Sequence, residues 1–432
     1  MIRILLRRLL QFRLLAGFSL LQGGVQFFAA LSGLILVHVL DKPQFAAYAI
    51  TASLFITINV LTDCGIGTGL NTIGGHIWDD PARLGSLVAT ALGLRARLAR
   101  FALPLGFGFG LFLFRQNSVS WWESITLLLV VVSGAWGTAT ANTYASAYRL
   151  AGKYLEVQRI ELAAVLVRLV LLSGMSLFFV NAMMAMMAAT ISVSVQALWL
   201  RRKSFRIFEP RAQADPAQHM ELCRFVRLQW FSTAFFAFQG QITIWLVSIF
   251  GTADRIAEVG ALGRLGVMFA FMTSLLNGIA TPSLARCKSL PRLYRLFGAM
   301  LLAYGVFAGM LLATWFAFPG KILLILGSKY TGLTAELPLV MGTALLWGLT
   351  GVLYALASAR GWIWQAWVWP LVTIALQLVL LRSLDLTQVR GVLLFGLLSA
   401  LPVLLSVAYM VCRGLLMGLE RPARVTASSV VS

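Results

Sequence analysis

Two arginines fall inside long apolar runs, Arg168 within residues 160–180 and Arg264 within residues 258–283. A charge at a bilayer centre costs about 2.5–3.5 kcal/mol even on the milder insertion scale, so a chain that keeps one there has a use or a partner for it. Counted from Ile160 at 1.5 Å per residue, Arg168 lies about 12 Å into its run, near a midplane; counted from Glu258, Arg264 lies about 9 Å deep. A guanidinium presents five N–H donors in a rigid plane and grips the oxygens of phosphates and carboxylates in pairs. The two arginines therefore point to an anionic ligand such as a pyrophosphate or an acidic sugar. The alternative is a structural ion pair, with Glu161 seven residues before Arg168 and Glu258 six residues before Arg264.

Asp63 and Asn59 are spaced i, i+4 and share a helical face near the end of the second apolar run. Such a carboxylate either relays a proton or sodium ion, in gating or ion coupling, or neutralises a basic residue at the mouth of the helix; the second is the favoured expectation. Gln22, Gln26 and Gln239 are polar groups where lipid would penalise them, and they serve either a polar cavity or hydrogen bonds between helices. The candidate substrate-binding set is Arg168, Arg264, Gln26, Gln239, Arg149 and Arg360. Trp362, Trp364, Trp367 and Trp369, with Trp121 and Trp122, flank helix ends, and an interfacial belt accounts for them better than stacking on sugars. Asp79 and Asp80 lack a third ligand at useful spacing, His38, His76 and His219 are scattered, and Cys64, Cys223, Cys287 and Cys412 form no C-x-x-C pair. No metal, cofactor or disulfide is expected.

The elements that must hold these residues follow from composition. Of 432 residues 59% are hydrophobic and 12% charged, about half the charge of a soluble domain, which excludes a water-soluble fold. Apolar runs fall at residues 14–40, 45–70, 98–114, 123–148, 160–180, 183–200, 228–250, 258–283, 296–318, 337–358, 363–381 and 391–412. The first, preceded by Arg3, Arg7, Arg8 and Arg13, is too long for a cleaved signal segment and is read as a permanent helix. The net charge of +20 sits in the gaps between runs and is a topology signal, not a mark of nucleic-acid binding. With the N-terminus placed in the cytoplasm, 26 of the 35 lysines and arginines fall on the cytoplasmic side and 7 on the other. The expectation is an all-α polytopic membrane protein of about twelve spans with both termini cytoplasmic.

The chain also resembles itself. A shift of 213 residues places Phe12 on Phe225, Leu15 on Leu228, Ser19 on Ser232, Gln26 on Gln239 and Asp41 on Asp254. A shift of 210 places Tyr144-Ala145 on Tyr354-Ala355, each segment ending in an arginine, Arg149 and Arg360. Two six-helix bundles are expected, 1–200 and 228–432, joined by a cytoplasmic linker over 201–227 and related by a pseudo-twofold along the membrane normal. Basic residues of the linker are placed to meet anionic lipid heads.

Asp63-Cys64-Gly65-Ile66-Gly67 at the end of the second run, Tyr144 to Lys153 at the end of the fourth, and Ile325-Leu326-Gly327-Ser328-Lys329-Tyr330 before the tenth occur in an order and spacing similar to the O-antigen and capsule flippases of the multidrug/oligosaccharidyl-lipid/polysaccharide exporter superfamily. The resemblance spans nearly the whole chain. It implies two bundles rocking about a cationic cavity, moving an undecaprenyl-pyrophosphate-linked glycan outward across a bacterial cytoplasmic membrane, with polysaccharide polymerase and glycosyltransferases as partners and no enzymatic step. The short tail departs from relatives with extra C-terminal helices, so a lipid groove built from such helices is not expected. A cation-coupled drug exporter of the same superfamily is the alternative within transporters; a polytopic glycosyltransferase or polymerase is the alternative outside them.

Overall fold

The computed structural model describes residues 2–176, 180–209, 212–285, 287, 289–360, 362 and 368–417. Outside the described residues lie Trp364 and Trp367 of the tryptophan set and Arg211, Arg286, Lys288, Arg421 and Arg424 of the basic set, together with the side chains of residues 2–16, 18, 277–283 and 285.

Every regular element among the described residues is helical. In chain order these are α1 Ile2–Val39, α2 Lys42–Asp63, α3 Ile66–Ile77, α4 Pro81–Gln116, α5 Trp121–Leu150, α6 Tyr154–Ser176, α7 Ala182–Lys203 and α8 Pro216–Gln239. They continue with α9 Ile242–Phe250, α10 Ala253–Leu265, α11 Val267–Ala285, α12 Leu290–Ala317, α13 Pro319–Leu326, α14 Leu337–Arg360, α15 Val368–Ser383 and α16 Val389–Met417. Among the described residues nine helices are long and apolar enough to cross a membrane, and ten if the bent pair α8–α9 is one span. The two expected runs outside that set are α6, which carries Glu156, Arg159, Glu161 and Arg168, and α15, with 16 described residues.

Helix starts follow local chemistry. Asp80 accepts from the backbone N–H groups of Ala82 and Arg83 at 3.0 and 3.1 Å ahead of Pro81, and Asp215 does the same for Ala217 ahead of Pro216, so each carboxylate satisfies donors that the first turn leaves open. Three expected spans are interrupted, the run at 258–283 only at Gly266 between α10 and α11. The run at residues 45–70 divides at Cys64 (φ 43°) and Gly65 (φ 89°), both left-handed, so Asp63 is the last residue of α2 and does not lie inside a longer helix. A side chain at Gly65 would be strained by its backbone and would also meet Gln229, whose Oε1 lies 2.8 Å from where a Cβ would stand. The run at 228–250 bends by 53° between α8 and α9. Conversely, α4 begins at Pro81, well before the apolar stretch at 98–114, and takes Arg83, Arg95, Arg97 and Arg100 into its helix.

Packing divides the chain into two compact units, Met1–Ala261 and Leu262–Ser432. In the first, small residues let helices approach closely, as membrane bundles require. Gly134 and Gly137 of α5 face Thr190 and Ser194 of α7, and Gly106 and Gly110 of α4 face Ile58 and Leu54 of α2. The first pair runs parallel and the second antiparallel, as alternate and successive spans must. α1 and α6 are also parallel, with Gly17 against Leu155 and Gly24 against Leu162. In the second unit Tyr304 of α12 fills the space beside Gly348 and donates its hydroxyl to the Leu345 carbonyl at 2.8 Å. Trp362 is fully buried against Gly414 of α16, a core position and not an interfacial one.

Candidate functional site

In the first unit the buried charges sort themselves into neutralised and exposed-to-partner classes. Arg168 lies 14 residues into α6, about 21 Å from its start. One guanidinium nitrogen, Nη2, donates to the hydroxyl oxygen of Tyr48 on α2 at 3.2 Å, while Nε is buried with no partner among the described residues. Glu161, the acid nearest to it along α6, is occupied elsewhere: it accepts from Nη2 of Arg149 at 2.9 Å. The structural ion pair expected as the alternative for Arg168 is therefore not formed; Glu161 serves Arg149 across the α5–α6 turn. Arg149, a candidate ligand residue from sequence, is held in that pair.

The second acid is likewise answered. Asp63 accepts from Nη2 of Arg95 and, at 3.2 Å, from the backbone N–H of Gly67. Arg95 also donates to the Ala139 carbonyl on α5 at 3.0 Å, and its side chain is 5% exposed against 35% for Asp63. Asp63 thus meets a cation supplied by α4 at the end of its own helix. Asn59 donates to the Phe55 carbonyl of its own helix at 2.7 Å and does not join the pair. Arg95 lies outside the expected apolar runs; the signal that marks it is that Ala91, Leu94, Arg95 and Ala102, at i, i+3, i+4 and i+11, share the inward face of α4, all buried.

The third acid, Glu258, accepts from Lys42 at 2.8 Å. Arg264, for which it was the expected structural partner, lies in the second unit, half-buried in the last turn of α10. Also in the second unit, Arg360 ends α14, donates to the Cys287 carbonyl at 3.1 Å and lies 5.9 Å from the centroid of the Trp362 ring, with its Nε buried and without a partner among the described residues. Of the glutamines, Gln26 is half-buried on α1 and Gln239 is buried as the last residue of α8. Within the first unit the geometry thus brings Arg168 and Tyr48 together, Arg149 with Glu161, and Asp63 with Arg95; Arg264 and Arg360 belong to the second unit. Among the described residues no group of three histidine, cysteine or acidic side chains could hold a metal ion.

No protein-family model and no curated protein sequence matches the chain. Solved structures do. The lipid II flippase MurJ in an inward closed conformation superposes with a TM-score of 0.71 at 10% identity, over 91% of this chain and 87% of that one. The chain has the fold of a membrane transporter. The eukaryotic MATE transporter AtDTX14 gives a TM-score of 0.69 at 14% identity, over 95% of this chain and 96% of that one. An inward-facing multidrug resistance MATE family transporter of the MOP superfamily gives 0.68 at 13% identity, over 93% and 99%. The shared fold is all-helical and polytopic, as the apolar runs of the sequence lead one to expect.

Proposed function

We propose that the chain is a flippase that carries a lipid-linked, negatively charged saccharide of the undecaprenyl-pyrophosphate type across the bacterial cytoplasmic membrane by alternating access, in surface polysaccharide biosynthesis. The observation that supports this reading most is the charge balance inside the spans of the first unit. Asp63, Glu161 and Glu258 each accept from a cation, whereas Arg168 donates to the neutral phenol of Tyr48 and keeps a buried N–H to spare. A site with a surplus guanidinium attracts an anion, and burial strengthens the attraction because water screens it less. The likeness to a lipid II flippase agrees with a lipid-linked cargo.

The reading is tested in proteoliposomes loaded with a fluorescent lipid-linked oligosaccharide. Reduction by an impermeant quencher measures how much has changed leaflet. Faster exchange with the wild-type protein than with empty vesicles supports it, and equal rates overturn it.

A second reading, a cation-coupled multidrug exporter, draws on the two MATE neighbours and on Asp63, whose partly exposed carboxylate a proton could release from Arg95. Efflux of a cationic dye that Asp63→Asn abolishes, with no lipid exchange, would favour it over the flippase.

A further inference from the structure

The first unit contains a cavity of about 300 Å³ lined by Gly85, Val88, Ala89 and Leu92 of α4, Trp136, Thr140 and Tyr144 of α5, Arg201 of α7 and Phe208 of the connector that follows. That volume is at the small end of pockets that hold organic ligands. Its construction is regular. The α4 residues are spaced i, i+3, i+4, i+7 and the α5 residues i, i+4, i+8, so each helix gives one face, and the groove between them is about 12 Å long from Trp136 to Tyr144.

The two ends differ in chemistry. At one, Arg201 in the last turn of α7 is within electrostatic reach of Tyr144, and the Tyr144 ring stacks on Phe208 at 5.8 Å between centroids. The Tyr144 hydroxyl makes no hydrogen bond among the described residues, and Arg201 is in no ion pair there. At the other end, Leu92 and a Trp136 ring half exposed on the helix surface present carbon. Thr140 donates to the Trp136 carbonyl and keeps lone pairs for the groove.

We propose that this groove binds a single anionic phospholipid, with the phosphate held by Arg201 and the Tyr144 hydroxyl and the upper part of the acyl chain lying along Leu92 and Trp136. A charged donor, an uncommitted phenol and an apolar exit in that order match a phosphodiester with a hydrocarbon tail. In a zwitterionic lipid the headgroup ammonium offsets the phosphate charge that attracts Arg201, and free phosphate leaves the carbon wall unused. The site lies wholly within the first unit and is independent of the transported cargo.

The test is native mass spectrometry of the full-length protein released from detergent after titration with phosphatidylglycerol, phosphatidylcholine or inorganic phosphate. Phosphatidylglycerol is expected to be retained where phosphatidylcholine is not. Arg201→Gln should weaken that retention about tenfold, the effect of losing one charge-assisted contact, and Tyr144→Phe by a smaller factor, because the stacked ring remains. Arg202→Gln, adjacent but outside the groove, should bind as the wild type. Should Arg201→Gln not be recovered folded, Arg201→Lys and Tyr144→Phe carry the comparison. Equal losses for Arg201→Gln and Arg202→Gln would show a diffuse basic surface and overturn the site. Inorganic phosphate displacing the lipid at comparable concentration would overturn the tail contact and reassign the site to free phosphate.

Discussion

Arg149 donates to Glu161 across 2.9 Å, and that contact leaves Arg168, two turns further along the same helix as Glu161, with the Tyr48 hydroxyl for company. The pairing decides how the two arginines should respond to mutation, and in opposite ways.

Arg168→Ala is expected to leave membrane abundance unchanged while export falls, since it removes no ion pair. Arg168→Lys should restore part of the activity, because an ammonium keeps the charge but not the planar fork. Surface polymer measured beside protein abundance checks this, and normal polymer at normal abundance in Arg168→Ala would remove the residue from the site.

Arg149→Ala should behave as a stability variant. It leaves the mostly buried Glu161 carboxylate without its cation, at a cost of about 1–3 kcal/mol. Adding Glu161→Gln should recover most of the lost thermal stability in detergent extract; failure of the double variant to recover would mean that Arg149 acts beyond the pair.

Arg95 ties α4 to both α2 and α5 through Asp63 and the Ala139 carbonyl. Removing one partner of a buried pair costs about 3–5 kcal/mol, so Arg95→Ala should cut the yield of folded protein sharply, and Asp63→Asn less so because its side chain is partly exposed. Thermal unfolding followed by size-exclusion chromatography separates the two.

The charge pattern places all four cysteines at or near the cytoplasmic side, so an impermeant thiol reagent applied to intact cells should label none. In inverted vesicles Cys412 and Cys223, exposed and half-exposed, should react first. Cys64 should lag: burial, with the Asp63 carboxylate beside it, pushes its thiol up, so less thiolate is present at neutral pH and its labelling should gain most as pH is raised. Rapid labelling of Cys223 from outside would overturn the topology.

Gly134→Leu should destabilise the first unit by about 1–3 kcal/mol, because even a Cβ there would stand 2.7 Å from Thr190 Oγ1 and 2.8 Å from the Phe55 ring. Gly93→Ala, on α4 with nothing near it, is the matched control and should be neutral in thermal unfolding.

The spans were legible because lipid demands long apolar helices whatever else the chain does, and Arg168 stood out because its neighbours on both sides are hydrocarbon. Arg95 did not, since Arg97 and Arg100 follow it and the three together read as a polar loop; only the face that α4 turns inward separates the buried one from its exposed neighbours. The alternative pairing of Glu161 with Arg168 fails for a related reason. Spacing along one helix is visible in sequence, whereas the return of the chain through Gly152, with its φ of 76°, brings Arg149 back beside Glu161 from the preceding helix. The breaks at Cys64–Gly65 and Gly240–Gln241 fall inside long hydrophobic stretches, where Asp63 and the Gln239-Gly240-Gln241 step do not by themselves fix the direction of the next helix.

The connector after α7 has a bearing on how the protein is made. Glu209 donates its backbone N–H to the Pro81 carbonyl at 3.1 Å, Asp215 donates to the Thr90 hydroxyl at 3.0 Å, and Phe208 stacks on Tyr144. Each of these partners is synthesised before the connector itself. The segment can therefore dock while α8 and everything beyond it are still on the ribosome, so that biogenesis acquires a checkpoint: α4 and α5 can be fastened at one end before the later helices begin to enter the bilayer.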